Sequence, residues 1–247
     1  MAILIKQPSI SIITATYNAD EYLPNLIKSL KNQTDKDFEW VVADGLSADN
    51  TLNLISEIKD FNVVMSSEPD FGIYDALNRA IKLSSGEFYV VIGADDELNV
   101  DAVKNFRLHA TSNFSVVTAS IFIENKVHKT SILPMFISGF RKKITGHSVA
   151  TAFRKSLHSK YGYYSKKYPI AADYEFMMKL ILNNEPIKQV DFIAGSFALG
   201  GLSSQDRLGT ASEVMRVMVS FGYSTIIQIA IFIFRLRSRK FFSLKFG

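Results

Sequence analysis

Residues 67–96, SEPDFGIYDALNRAIKLSSGEFYVVIGADD, decide how this chain is read. They hold acids, a glycine turn, an amphipathic helix and a buried strand ending in two aspartates. Residues 88–92 (FYVVI) form the short apolar run expected of a strand covered on both faces. Gly93, Ala94, Asp95 and Asp96 follow at once. In an open α/β sheet, ligands bind beyond the carboxyl ends of the strands. Two carboxylates there suit a hard divalent cation, Mn2+ or Mg2+, shared with substrate phosphates. The stretch therefore predicts a metal–diphosphate site at a strand end.

Upstream, residues 9–14 and 38–43 read as buried strands and 63–65 as a third. Helical periodicity covers 20–31, 49–59 and 73–83, with Pro24 tolerated in a first turn. This alternation predicts right-handed βαβ crossovers, a mostly parallel central sheet and helices on both faces. Downstream the pattern changes. Residues 114–123 and 127–133 read as a hairpin, 135–143 as an irregular basic connector, and 150–154 as a strand. Residues 162–169 (GYYSKKYP) read as a mobile surface loop, 172–182 as a helix and 187–199 as extended. One α/β domain is expected, with a first half at 1–110, a second half at 111–215 and a helical tail at 216–247.

The tail stretch 217–234 carries no charge and lies between Arg216 and Arg235. Its Ser220, Gly222, Ser224, Thr225 and Gln228 favour an amphipathic interfacial helix over a membrane span. Burial against the domain, or in a homodimer, is the alternative. The chain of 247 residues has a net charge of +4, with acids crowding the first hundred residues. Arg235, Arg237, Arg239, Lys240 and Lys245 lie near its end. An anionic membrane surface explains that asymmetry better than nucleic acid, for which no binding motif is present. With no cysteine, disulfides and thiolate chemistry are excluded. The start, MAILIKQPSISII, lacks a signal-peptide layout, so a cytoplasmic protein, peripheral on the inner face of the cell membrane, is expected.

Four polar clusters end the early strands: Thr14/Thr16/Asn18, Asp44/Ser47/Asp49, Glu68/Asp70 and Asp95/Asp96. A parallel sheet would gather all four along one rim. Asp20 and Asp49 read as helix caps. No G-x-G-x-x-G follows the first strand, and neither a P-loop nor a G-x-S-x-G elbow occurs. His109, His128, His147 and His158 lack zinc-site spacing and read as solvated or structural. His147 stands apart because Gly146-His147-Ser148 precedes an apolar strand and would face the cleft.

The motifs SIITATYNADEYLPNLIKSLKNQT, VVADGLSADNT, SEPDFGIYDALNRAI and GEFYVVIGADD, in this order, resemble the nucleotide-sugar glycosyltransferases with the GT-A (Rossmann-like) fold, the large inverting family numbered two. The GIYDALN form is similar to the bacterial branch that builds O-antigen (lipopolysaccharide), capsule or exopolysaccharide. The resemblance implies that Thr14, Thr16 and Asn18 sit in the nucleotide pocket and that Asp44 meets the base, typically uracil. Asp70 and Gly72 would border the donor, with Asp75 and Asn78 lining the pocket or forming a helix-surface pair. Asp96 would bind the metal and Asp95 the ribose or donor sugar. Asp173 would be the catalytic base. Glu175, two residues on, points elsewhere on a helix, and a helix cap is the structural alternative for Asp173.

The resemblance also implies that Gly201 and Ser203, in a glycine-rich loop, close over the diphosphate, with Arg207 adding charge. Arg154 would be a basic residue on the acceptor side. Phe71-Gly72 stands where the family has an arginine near the donor phosphates. The implied activity is metal-dependent, inverting transfer of a hexose or N-acetylhexosamine from a nucleotide (UDP) sugar to a lipid-linked oligosaccharide. A polyprenyl-phosphate glycosyltransferase and a non-catalytic nucleotide-sugar-binding module are the alternatives.

Overall fold

The computed structural model describes residues 10–124, 126–199 and 205–237. Its first half is built from β1 (Ile10–Thr16), α1 (Leu23–Lys31), β2 (Phe38–Asp44), α2 (Thr51–Ser56), β3 (Asn62–Ser67), α3 (Ile73–Leu83) and β4 (Phe88–Val91). The strands lie in the order β3-β2-β1-β4, all parallel, as the alternation of helix and strand requires. Apolar spacing explains which helix faces turn inward. Leu23, Leu26 and Leu30 of α1 are buried, as are Ala76, Leu77, Ala80 and Ile81 of α3.

The second half departs from the expected parallel sheet. It comprises β5 (Glu97–Leu98), α4 (Ala102–His109), β6 (Val116–Ile123), β7 (Lys126–His128), α5 (Met135–Ser138) with a 3-10 turn at Gly139–Lys142, β8 (Thr151–Arg154), α6 (Leu157–Tyr161), α7 (Ala172–Leu182), β9 (Ile187–Ser196), α8 (Arg207–Ser220) and α9 (Thr225–Arg237). The order continues from β4 through β8, β6 and β9 to β5, with β7 hairpinned on β6. β8 runs antiparallel to both neighbours, and β5 is antiparallel to β9, which itself pairs parallel with β6. The sheet is therefore mixed. In the first half α1 and α2 each cross between adjacent strands, which makes those neighbours parallel.

Apolar layers fill both faces. Ile12, Trp40, Phe88 and Phe106 lie on one side; Ile13, Val41, Tyr89, Phe176 and Val217 lie on the other.

Two further expectations change. The loop at 162–169 is not a surface loop throughout, because Tyr164 and Tyr168 are buried beneath it. The uncharged stretch 217–234 is not one helix. A turn holding Gly222 at φ +85° divides it. Val217 and Met218 end α8 in the core, whereas Gln228 is the buried residue of α9. The boundary expected at 216 thus falls inside α8. Among the described residues, no helix is long and apolar enough to cross a membrane.

Candidate active site

Parallel register brings the first strand ends to one rim. Thr16 lies beside Asp44, and Asp44 beside Ser67; one strand away, Val91 of β4 pairs with Ile13 and bridges to Ser148. Asp44 is completely buried. Its Oδ1 accepts the Thr16 hydroxyl at 3.0 Å and the Ser47 hydroxyl, while Oδ2 accepts the Ser47 N–H at 2.9 Å and the Ser67 hydroxyl at 2.8 Å. Burial would raise its pKa, but the donors from Ser47, Ser67 and Thr16 together hold it below the ordinary carboxylate value. Asp44 is thus the anchor of the pocket floor. The Arg79 guanidinium braces the same floor from below, donating to the Asp44 carbonyl at 2.6 Å.

Around this floor the β1–α1 and β2–α2 loops are laced together. The Asn18 N–H donates to the Ser47 hydroxyl at 2.8 Å, and the Asn18 side-chain oxygen accepts the Ala48 N–H at 2.9 Å. Asn18 holds this position at φ +46°, a left-handed geometry that asparagine tolerates. Asp20 and Asp49 do not sit at the N-cap positions of α1 and α2, which are Tyr22 and Asn50. Instead Asp20 accepts the Asn50 N–H and Asp49 accepts the Asp20 and Thr51 N–H groups, which ties the two loops together. Asp70 closes the far side. A Cβ on Gly45 would come within 2.6 Å of its carboxylate, so only glycine lets the two loops approach. Gly72, at φ +111°, precedes α3 and donates its N–H to Asp70 at 2.9 Å. Asp75 accepts the Phe71 N–H and pairs with Lys166 at 3.3 Å, which makes it a brace of the helix start.

Asp95 and Asp96 converge on Gly93: a Cβ there would lie 2.7 Å from one carboxylate and 2.9 Å from the other. Asp96 is 2% exposed. It accepts the Ala198 N–H at 2.9 Å, the Gly93 N–H at 2.9 Å and the Ser148 hydroxyl at 3.0 Å. Burial pushes its pKa up to about 7, with the neighbouring Asp95 charge adding to the rise against these donors. A buried acid next to a second acid, both drawn in over a glycine, is a carboxylate pair of the kind that holds a divalent cation together with substrate phosphates. No group of three or more metal-ligating side chains exists among the described residues.

From Ser148 the site continues to Asp173. His147 Nδ1 lies 4.0 Å from Asp173 Oδ2, and Asp173 is 27% exposed, within reach of solvent. Asp173 Oδ1 accepts the Tyr74 hydroxyl at 2.7 Å, a proton shared with the Ile170 carbonyl, and also the Tyr174 N–H. It does not cap its helix. The amides of Ile170 and Ala171 ahead of α7 are taken by Glu213, each at 2.9 Å. Glu175 is held elsewhere by Lys179.

Hydrogen-bond logic fixes the protons behind Asp173. The Gly162 carbonyl can only accept, so His158 Nδ1 donates to it at 3.1 Å. His158 Nε2, neutral because burial lowers its pKa to about 4, then accepts the Tyr89 hydroxyl at 2.6 Å. Tyr89 accepts from Tyr164 at 3.0 Å, and Tyr164 accepts from His147 Nε2 at 2.5 Å. His147, also held neutral by burial against the pull of Asp173, therefore turns the bare lone pair of Nδ1 toward the carboxylate.

Three expected site residues lie elsewhere. Thr14 is fully buried and its hydroxyl accepts the Trp40 indole N–H at 2.9 Å, so it belongs to the core. Asn78 is a buried bracket, exchanging hydrogen bonds of 2.9 Å with the Tyr164 backbone. Arg154 pairs with Glu87 and donates to the Phe114 and Thr111 carbonyls. It sits opposite Phe88, at the start of β4 and away from the rim, because β8 runs antiparallel. Gly201 and Ser203 lie outside the described residues, and Arg207 opens α8. Tyr74, Ser67, Ser148 and Tyr164 were missed. Tyr74, inside GIYDALN beside the glycine turn, carried a usable signal; the other three had none beyond proximity to strand ends.

Residues 11–182 match the model of glycosyl transferase family 2. The chain belongs to this family. It is 27% identical over 209 residues to a PGL/p-HBAD biosynthesis glycosyltransferase of Mycobacterium bovis, covering 80% of each chain. Its fold is similar to that of TarS of S. aureus, solved with UDP-GlcNAc, at a TM-score of 0.67 and 21% identity over 96% of this chain and 73% of that one. The mannosyltransferase PcManGT from Pyrobaculum calidifontis, solved with GDP-Man and Mn2+, gives 0.67 and 17% over 94% and 71%. This glycosyltransferase thus has the GT-A architecture.

Proposed function

We propose that the enzyme transfers a hexose or N-acetylhexosamine, with inversion, from a UDP-sugar to a hydroxyl of a lipid-linked oligosaccharide, in surface polysaccharide synthesis. The observation that carries this reading is the short path from Asp96 through Ser148 and His147 to Asp173. It sets a partly open carboxylate beside a diphosphate-type acidic niche. The acceptor hydroxyl loses its proton to Asp173 Oδ2, the oxygen that no hydrogen bond among the described residues engages, while the Tyr74 hydroxyl orients the carboxylate through Oδ1. Asp44, Thr16, Ser47 and Asn18 shape the floor of the nucleotide pocket. A uracil N–H would replace one of the hydroxyls now on Asp44. Asp95 and Asp96 would hold a divalent cation, which when bound supplies charge stabilisation to the departing diphosphate. A cytoplasmic enzyme working at the inner face of the membrane is the matching location.

The test is a panel of nucleotide sugars assayed for nucleoside diphosphate release with Mn2+, with Mg2+ and with chelator. Release from a UDP-sugar that chelator abolishes, and that Asp96→Ala lowers by about a hundredfold or more, is the expected result. Undiminished release under chelator would remove the metal from the reading, and no release from any donor would remove the enzyme.

A further inference from the structure

Among the described residues, exposed apolar side chains cluster on α9 and on the segment around α5, whereas Phe71, Tyr17 and Leu108 stand singly elsewhere. On α9, Ile226 is 81% and Phe234 73% exposed, with Ile227, Ile229 and Ile233 also exposed. Helical spacing places these five residues on one broad face. The opposite side carries Gln228, which is 4% exposed, and Arg235, whose guanidinium donates to the Ile137 carbonyl at 3.1 Å. The helix turns Gln228 and Arg235 toward the protein and Ile226, Ile227, Ile229 and Ile233 away from it. Around α5, Ile132 is 97% exposed, and Leu133, Phe136 and Ile137 are exposed as well. The Arg235–Ile137 bond holds the two segments side by side, each with its own exposed apolar side chains.

Charge identifies what covers that face. No aspartate or glutamate occurs between Glu124 and Asp173, or after Glu213. The same two stretches carry Lys126, Lys129, Arg141, Lys142 and Lys143, and Arg216, Arg235, Arg237, Arg239, Lys240 and Lys245. A second copy laid against this face would oppose cations with cations. An anionic bilayer offers the complementary charge and an apolar layer for the isoleucines.

The face is also tied to the active site. Phe140 packs edge-on against Tyr174 at 5.1 Å, and a Cβ on Gly139, at φ +56°, would collide with the Tyr174 hydroxyl. Tyr174 follows Asp173 on α7, and its hydroxyl donates to the Met218 sulfur of α8 at 3.2 Å. The face and the helix bearing Asp173 thus share one side chain as their joint.

We propose that α9 and the 132–137 elbow together form a two-part docking face for an anionic phospholipid surface, which sets the Asp173 side of the site against lipid headgroups. This deepens the reading of a membrane-borne acceptor and replaces a tail acting alone with a surface in which the elbow is an equal partner.

The test is flotation of the full chain with phosphatidylcholine vesicles, with and without one-third phosphatidylglycerol. Binding is expected to the anionic vesicles alone, and to fall about tenfold or more in Ile132→Asp/Phe136→Asp and equally in Ile226→Asp/Phe234→Asp. Donor hydrolysis and circular dichroism should stay at the parent level in both, since all four side chains are exposed. Parent-level binding by the elbow variant would overturn the proposal, as would equal binding to neutral vesicles. A dimer in sedimentation velocity that the same substitutions dissolve would assign the face to a second copy instead. Vesicle binding without any donor turnover would retain the docking face and remove the transferase reading of the site.

Discussion

The two sides of the rim are held together in different ways. On the nucleotide side, order comes from strand register and from loop amides closing on short side chains. Thr16, Asp44 and Ser67 are adjacent because three parallel strands end together, and Asp44 is saturated by donors from its own pocket. On the acceptor side no register sets the geometry. Asp173 is placed by Tyr74 from α3 and by the capping of Ile170 and Ala171 through Glu213, and it lies beside a row of buried rings, His147, Tyr164, Tyr89 and His158. The nucleotide side is therefore a rigid floor, whereas the acceptor side is a positioned and partly open carboxylate. In the proposed function, chemistry belongs to the second and binding to the first.

The sharpest way to break this contrast is Asp173→Asn. An amide keeps the shape and can still accept from Tyr74, but it cannot take a proton. Transfer to a hydroxyl acceptor is expected to fall by roughly 10²- to 10⁴-fold, the usual contribution of a general base. Donor affinity, measured by nucleotide-sugar titration, should change little because the floor is untouched. Near-full turnover would instead point to a phosphate nucleophile, which needs no base, and so to a polyprenyl-phosphate acceptor.

How far each side could be read in the sequence follows from the same contrast. Register-built geometry leaves a trace: apolar runs followed by Thr16, Asp44 or Asp95 and Asp96 mark strand ends, and parallel pairing then gathers them. Thr14 escaped that logic because the Trp40 indole, from the neighbouring strand, reaches over to claim its hydroxyl. Ring networks leave almost no trace. GYYSKKYP looks like a surface loop, yet Tyr164 turns inward because Asn78 grips its backbone from α3. Nothing within eight letters can show a clamp that lies 86 residues away.

The ring network carries a smaller effect that sharpens the comparison. His158 is buried, and its folded pKa of about 4 lies below the ordinary 6.5. Between these values the unfolded chain binds a proton that the folded chain refuses. Stability contributed by the neutral ring is therefore complete above about pH 6.5 and is lost as pH falls toward 4, by about 3 kcal/mol in all. Asp96, its pKa raised to about 7, contributes a slope of opposite sign over this window, so the reading is a difference. On lowering the pH from 7 to 4.5, the stability change in urea unfolding should favour folding less in the parent than in His158→Gln. An unchanged slope in the variant would assign it to other groups. The nucleotide side adds its own slope further down, since Asp44 is stabilised as the anion and loses that contribution only as pH falls through its lowered pKa.

The smallest expected effect on activity is at Arg154, and it tests the direction of a strand. Were β8 parallel to β4, a residue at its end would reach the rim, and a cation there would neutralise donor phosphate. The antiparallel register instead sets Arg154 opposite Phe88, where its guanidinium stacks over that ring at 4.5 Å and ties Glu87 to the Thr111 and Phe114 carbonyls. Arg154→Ala should leave KM for the donor and kcat within about twofold while lowering unfolding stability by about 1–3 kcal/mol, the usual cost of stranding polar partners of a charged group. A large rise in donor KM with stability intact would reverse that assignment. It would mean that β8 meets the rim from the other end, and that the mixed half of the sheet, like the parallel half, contributes its strand termini to binding.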